Sequence, residues 1–316
     1  MPTKKNNLSA RIGNLELSTP LVTASGTFGY AQELEGLVDF KNFGALITKT
    51  ITLEPLRGND PPRLFETCCG LLNSIGLENP GMDEFLEEKW PYLSGLKLPV
   101  IVSIGGKTKE EFVKIVRELE KIKNLKAIEV NISCPNIKKA QSKKQKAKNT
   151  YMFSQDALET FDLVDELREL TKKTLIIKLT PNVTDIASIA VSAQDAGADA
   201  ISIVNTYFGM AVDIKSRRPV LANIIGGLSG PAIKPLSLYA LYQVRKSIKI
   251  PVIAGGGIMD ADDAIEFLIC GATALALGTV NFINPKAGAD ILSGIQEYLA
   301  KNNIKDLKDL TGSLAV

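Results

Sequence analysis

At 316 residues, with 45% hydrophobic and 23% charged side chains, the chain has the composition of an ordinary folded protein and not of a disordered or membrane-embedded one. Lys and Arg number 37 against 35 Asp and Glu, a net charge of +2 that is too balanced to point to nucleic acid. Histidine is absent, which excludes every mechanism that needs an imidazole, from Ser-His-Asp acyl transfer to His-ligated zinc.

The first patterned segment, residues 10–17 around Gly13-Asn14, reads as a hairpin able to plug the bottom of a barrel. Short β-rich runs then recur at 21–24, 45–48, 99–103, 127–132, 174–179, 200–204, 251–254 and 273–277. Between them, residues 109–123, 156–170, 185–196, 235–247 and 260–269 carry apolar side chains at three- and four-residue intervals, with Thr184 and Asp185 placed to cap one helix and Asp260 another. Strands that are apolar on both faces and alternate with helices predict a parallel sheet covered on the outside, and eight such units close into a TIM (β/α)8 barrel. An open doubly wound sheet would announce its nucleotide site with GxGxxG, which does not occur. The insertions at about 53–98 and 206–234 follow the second and sixth strands, so they are expected as loops over the C-terminal mouth. No Gly-, Pro- or Ser-rich linker divides the chain, which predicts one domain spanning 1–316.

Cys68, Cys69, Cys134 and Cys270 lack metal-site spacing, so no metal is expected, and they read as reduced thiols of a cytoplasmic protein. Residues 1–20 hold no signal-like apolar stretch, and no run approaches the ~18 apolar residues of a spanning helix. Cys270, Cys68 and Cys69 are read as small buried hydrophobes.

The strand ends carry Ser25-Gly26, Lys49-Thr50, Ser103, Asn131 with Ser133-Cys134, Lys178, Asn205-Thr206, Gly255-Gly256-Gly257 and Gly278-Thr279. Strand ends are often polar simply because loops begin there. Lys49 and Lys178, however, each follow apolar runs directly. An ammonium at the mouth of a barrel core is costly without an anion, so the pair predicts an anionic ligand. The glycines after strands seven and eight have the composition of the barrel phosphate site, where backbone N–H groups approach the oxygens. Spacing does not choose between a substrate and a cofactor phosphate. Cys134, beside Pro135 just past the fourth strand, is placed for chemistry, and with no histidine to activate it for acyl transfer a proton-abstracting role is favoured.

Thr48-Lys49-Thr50, residues 73–81, residues 131–136, Gly227-Leu228-Ser229-Gly230-Pro231, residues 255–258 and Gly278-Thr279 occur in this order. With them the chain resembles class 1 dihydroorotate dehydrogenase, from about residue 10 to the helix after Pro285. Gly26-Thr27-Phe28-Gly29-Tyr30 and Ile137-Lys138-Lys139 make it most similar to the catalytic subunit of subclass 1B. The resemblance implies an FMN-binding barrel, one FMN per chain, which oxidises dihydroorotate to orotate in de novo pyrimidine biosynthesis. By resemblance, Gly256, Gly257, Gly278, Thr279 and Gly230 hold the flavin phosphate, and Ser25, Lys49, Thr50, Ser103, Asn131, Lys178 and Val204 complete the cofactor contacts. Lys49, Asn73, Ser74, Ile75, Gly76, Leu77, Asn131, Asn205 and Thr206 hold the substrate. Cys134 is the base, with Lys49 and Lys178 beside it in the catalytic set.

The same resemblance implies a homodimer of catalytic chains and a partner subunit that carries FAD and a [2Fe–2S] cluster and reduces NAD. None of the ferredoxin spacings that would hold such a cluster is present here. The membrane-bound class differs, with a serine base and an apolar N-terminal extension, and neither nucleic acid nor a membrane is an expected partner. The fumarate-reducing subclass 1A, another FMN-dependent dihydropyrimidine or dihydrouridine reductase, a sugar-phosphate isomerase or aldolase using Lys178 as a Schiff base, and a catalytically silent scaffold are the alternatives. The pattern departs from the family in three places. Ser103 stands where asparagine is more frequent, Cys68-Cys69 replaces small or proline residues, and the segment holding Lys138, Lys139, Lys143, Lys144, Lys146 and Lys148 replaces a glycine-rich one. Such a charge run reads as a solvated loop, with a substrate-attracting lid as the sharper alternative.

Overall fold

Runs of Val, Ile, Leu and Ala that are apolar on both faces need a filled interior on one side and a helical layer on the other. The computed structural model, which describes residues 6–133 and 153–315, supplies both. Parallel strands Leu21–Thr23, Leu46–Ile47, Val100–Ile104, Ala127–Asn131, Thr174–Lys178, Ala200–Ile203, Val252–Gly255 and Ala274–Leu277 follow one another in chain order around a single eight-stranded sheet. The ring closes between the first two. Val22 bridges Ala45, and the Thr23 hydroxyl donates to the Ile47 carbonyl at 3.1 Å while accepting from its N–H at 2.8 Å. The architecture is a (β/α)8 barrel.

The outer layer includes helices Lys109–Glu120, Ala157–Leu170, Ile186–Asp195, Lys234–Ser247, Ala261–Cys270 and Ala287–Lys301. Side-chain oxygens start them where the sequence places such residues. Thr108 accepts from the N–H of Glu111, Asp156 from Leu158 and Glu159, Asp185 from Ala187 and Ser188, and Asp260 from Asp263. Asp185, not Thr184, makes the cap of the fifth-strand helix.

Strands Ala10–Ile12 and Leu15–Leu17 form the predicted hairpin, with Gly13 at φ +54° in its turn. Ile12, Leu15 and Leu17 are buried against Val22, Ala45, Ile101, Ala127, Ile176, Ala200, Ile253 and Ala274, so the hairpin plugs the bottom of the barrel. Leu15→Ala is expected to cost about 2–5 kcal/mol, because a plug set against a rigid ring of strands has little room to collapse. The measurement is the urea midpoint at unchanged m-value; no shift would mean that the plug carries no stability.

The two insertions depart from the prediction of loops. Leu64–Thr67, Gly70–Asn73, Gly226–Ser229 and Tyr207–Gly209 pair into a four-stranded antiparallel sheet, registered by Gly227 opposite Asn73 and Tyr207 opposite Leu228. Glycine permits this close approach: a Cβ on Gly70 would stand 2.2 Å from the Ser229 carbonyl oxygen. Cys68 and Cys69 form the turn between Leu64–Thr67 and Gly70–Asn73, which corrects their reading as buried hydrophobes; the turn is exposed, where no core is available. Cys270 is half-buried, and burial pushes its thiol up. No helix among the described residues is long and apolar enough to cross a membrane.

Candidate active site at the barrel mouth

The C-terminal ends of the barrel strands and the sheet above them enclose a cavity of about 540 Å³. Its lining gathers Ser25, Lys49, Thr50, Asn73, Ile75, Gly76, Leu77, Asn131, Lys178, Val204, Asn205, Thr206, Gly230, Gly256, Gly257, Gly278 and Thr279, residues predicted from positions more than 250 apart in the chain. Two expected contacts lie elsewhere. Ser103 is fully buried behind the wall, with its hydroxyl 3.0 Å from that of Thr50 and donating to Glu129 Oε1 at 2.9 Å. Ser74 is also buried outside the lining, because the strand pleat that turns Asn73 inward turns its neighbour away. Cys134 and the lysine run at 138–148 lie outside the described residues.

At the glycine-rich end, Gly256 and Gly257 hold φ of +110° and +94°, a region that L side chains rarely adopt. A Cβ on Gly257 would meet the backbone of Lys234 at 2.6 Å, so glycine also lets the helix Lys234–Ser247 seat against the loop. Asp263 clamps the two together. It accepts from the Met259 N–H at 2.8 Å and from Lys234 Nζ at 2.6 Å, and this hydrogen bond, with Glu266 nearby, holds the lysine above its usual pKa. Among the described residues, the N–H groups of Gly256, Gly257, Gly278 and Thr279 have no protein acceptor. Unpaired donors on one wall of a cavity suit the oxygens of a phosphate.

The opposite end is lined by amides. Asn73 Nδ2 donates to the Gly227 carbonyl at 3.2 Å, which ties the motif to the mouth sheet. Leu77 sits at φ +54°, unusual for a branched side chain, and is held there by Asn79, whose Nδ2 donates to the Leu77 carbonyl at 2.7 Å. Asn131 Nδ2 donates to Thr50 Oγ1 at 3.1 Å, and Asn205 Nδ2 to Ser133 Oγ at 2.7 Å.

The two lysines differ. Lys178 is 8% exposed and lies 3.8 Å from the carboxylate of Glu129, which is fully buried. The anion that sequence alone expected from a ligand is, for Lys178, supplied by the protein. Lys49 is half-buried and has no carboxylate within 4 Å among the described residues, so it remains an uncompensated cation at the cavity. Glu129 was missed by the sequence reading. The signal was a single acid inside the apolar run 127–132, a position that neither of the two faces of a barrel strand tolerates without a partner. Asn79 and Ser229, whose hydroxyl takes a hydrogen bond from that of Thr279 at 2.8 Å, were also missed as site-shaping residues. Among the described residues no group of three or more Cys, Asp or Glu side chains is placed to hold a metal.

Fold and site together define a (β/α)8 barrel whose mouth carries unpaired backbone N–H groups in its glycine loops and side-chain amides with Lys49 elsewhere on its lining. The family model described as dihydroorotate dehydrogenase matches residues 7–299. The chain belongs to the dihydroorotate dehydrogenase family. It is 45% identical over 310 residues to a Thermoanaerobacter pseudethanolicus protein named dihydroorotate dehydrogenase B (NAD(+)), catalytic subunit, covering 98% of this chain and 99% of the relative. A Geobacter metallireducens protein of the same name is 46% identical over 313 residues, 99% of this chain and 100% of the relative. Among solved structures, DHODH from Eimeria tenella in complex with ferulenol shares the fold, with a TM-score of 0.81 at 22% identity, covering 99% of this chain and 90% of that one.

Proposed function

We propose that this chain is the FMN-carrying catalytic subunit of a subclass 1B dihydroorotate dehydrogenase, oxidising dihydroorotate to orotate and passing the electrons to NAD through a partner. What carries the assignment is one cavity that combines free N–H donors for a phosphate, a buried ammonium and an uncompensated Lys49. The near full-length likeness to relatives bearing that name supports it. The residues present fit FMN: the unpaired N–H groups of Gly256, Gly257, Gly278 and Thr279 would hold its phosphate beside Gly230, and Ser25, Thr50 and Val204 would border the ring system. The chemistry FMN would supply when bound is a hydride acceptor for C6 of dihydroorotate.

The chain's own residues do the rest. Lys49 takes the substrate carboxylate, and Asn73, Asn131, Asn205 and Thr206 with the 75–77 backbone offer donors and acceptors to the amide edges of the ring. Cys134 takes the proton from C5. Lys178 would border the flavin when it is bound, where its ammonium would stabilise negative charge that develops on reduction. Lys178→Ala is therefore expected to lower the flavin midpoint potential in a redox titration; an unchanged potential removes Lys178 from that role.

The partner carries FAD and a [2Fe–2S] cluster, as the resemblance to subclass 1B implies; the cysteines of this chain have none of the ferredoxin spacings that would hold the cluster here. Exposed apolar side chains Phe208, Met210, Val212, Ile214, Ile224 and Ile225 support a homodimer of catalytic chains, which we place in the cytoplasm. Co-expression with the partner tests this: a brown heteromer that reduces NAD with dihydroorotate is expected. A yellow homodimer active with fumarate would contradict the partner, and a colourless chain that cannot be loaded with FMN would contradict the enzyme.

A further inference from the structure

The Glu129 carboxylate has no part in the chemistry above, yet it is fully buried, borders the cavity and lies 3.8 Å from Lys178. As the counter-ion of an ammonium it is an acceptor only, so the Ser103 hydroxyl beside it is the donor. Ser103 spends its hydrogen on Glu129 Oε1 at 2.9 Å, so its oxygen takes the hydrogen of Thr50 at 3.0 Å, and the Ser25 hydroxyl, 3.1 Å from Thr50 Oγ1 and 2.9 Å from the Thr48 carbonyl, shares its own hydrogen between those two oxygens. Thr50 then accepts from Asn131 Nδ2 at 3.1 Å, which turns Asn131 Oδ1 toward the Ser133 hydroxyl at 2.8 Å. Ser133 in turn accepts from Asn205 Nδ2 at 2.7 Å, leaving Asn205 Oδ1 to take the Thr206 N–H at 2.8 Å. The chain runs one way, from Asn205 to Glu129.

We infer that Glu129 is a positioning residue of this site, an anion that holds the Lys178 ammonium at the cavity edge, offsets part of its charge, and orients the hydrogen-bond chain that presents Asn131 and Asn205; this rests on the flavin and dihydroorotate function proposed above. A pair kept only for stability has no reason to leave Glu129 Oε2 without a hydrogen-bond partner among the described residues, since apolar replacements of a buried ion pair avoid that cost. Ser103, which does not touch the cavity, is the link between the charge and the amides.

The two roles separate experimentally in FMN-loaded protein. Glu129→Gln removes the charge and keeps an acceptor for Ser103, so at a fixed redox poise the ratio of reduced to oxidised flavin is expected to rise about tenfold, about 30 mV for a two-electron couple. In a Lys178→Met background the same replacement is expected to change nothing. Ser103→Ala keeps the charge and cuts the chain, so orotate affinity, read from difference spectra, is expected to fall about tenfold with the potential unchanged. An unchanged potential in E129Q, or a shift that persists with K178M, overturns the charge role, and unchanged orotate affinity in S103A overturns the chain. If E129Q alone does not fold, the E129Q/K178M double, which leaves no lone ammonium, is expected to fold; a double no better than the single overturns the pairing. Wild-type protein that takes up no FMN defeats the underlying function instead, and the inference with it.

Discussion

Cys134→Ser is expected to slow reduction of the bound flavin by dihydroorotate by about 10²- to 10⁴-fold at neutral pH, the usual worth of a positioned general base. The residue before it is tightly set: Ser133 is buried, with its N–H and hydroxyl on Asn131 Oδ1 and its oxygen taking a bond from Asn205. The chain therefore leaves the fourth strand between two cavity-lining amides, and Cys134 follows directly. A thiol ionises near pH 8.5, so the wild-type rate is expected to climb with pH through the mildly alkaline range. A serine hydroxyl ionises far higher, so the variant stays slow there and gains only at strongly alkaline pH. Anaerobic stopped-flow absorbance across a pH series measures both. Wild-type rates in C134S at every pH would remove Cys134 as the base.

Lys49→Ala is expected to lower kcat/KM for dihydroorotate by about 30-fold or more, since truncating one partner of a desolvated charge pair costs about 2–5 kcal/mol. Lys178 has an internal counter-ion and Lys49 has none among the described residues, so on the function proposed above the substrate carboxylate would be the charge that Lys49 lacks. Dihydrouracil, the same ring without a carboxylate, separates this role from general damage. The loss is expected for dihydroorotate only, and equal losses for both substrates would contradict it.

The barrel was legible because each strand is a short, largely apolar run bounded by glycine, proline or a polar end, and because the helix caps are read locally. The mouth sheet was not. Its strands, Leu64–Thr67, Gly70–Asn73, Tyr207–Gly209 and Gly226–Ser229, are short and partly glycine, and the pairing that joins the two insertions, Gly70–Asn73 with Gly226–Ser229, spans more than 150 residues, so no local pattern marks the sheet. The cavity residues were legible where a motif sits at a strand end. Ser103 and Ser74 were misplaced because a sequence pattern does not tell a wall from what stands behind it. Glu129 escaped because a single acid in a strand carries no spacing, although the cost of burying it is what marks it as part of the site.

The most direct measurement is an anaerobic titration of the purified, FMN-loaded chain with dihydroorotate, following the flavin absorbance and the orotate formed. The expected result is complete bleaching with one orotate per flavin, in the absence of any other subunit. A flavin that stays oxidised in excess dihydroorotate, while chemical reductants still bleach it, would contradict the assignment of this cavity.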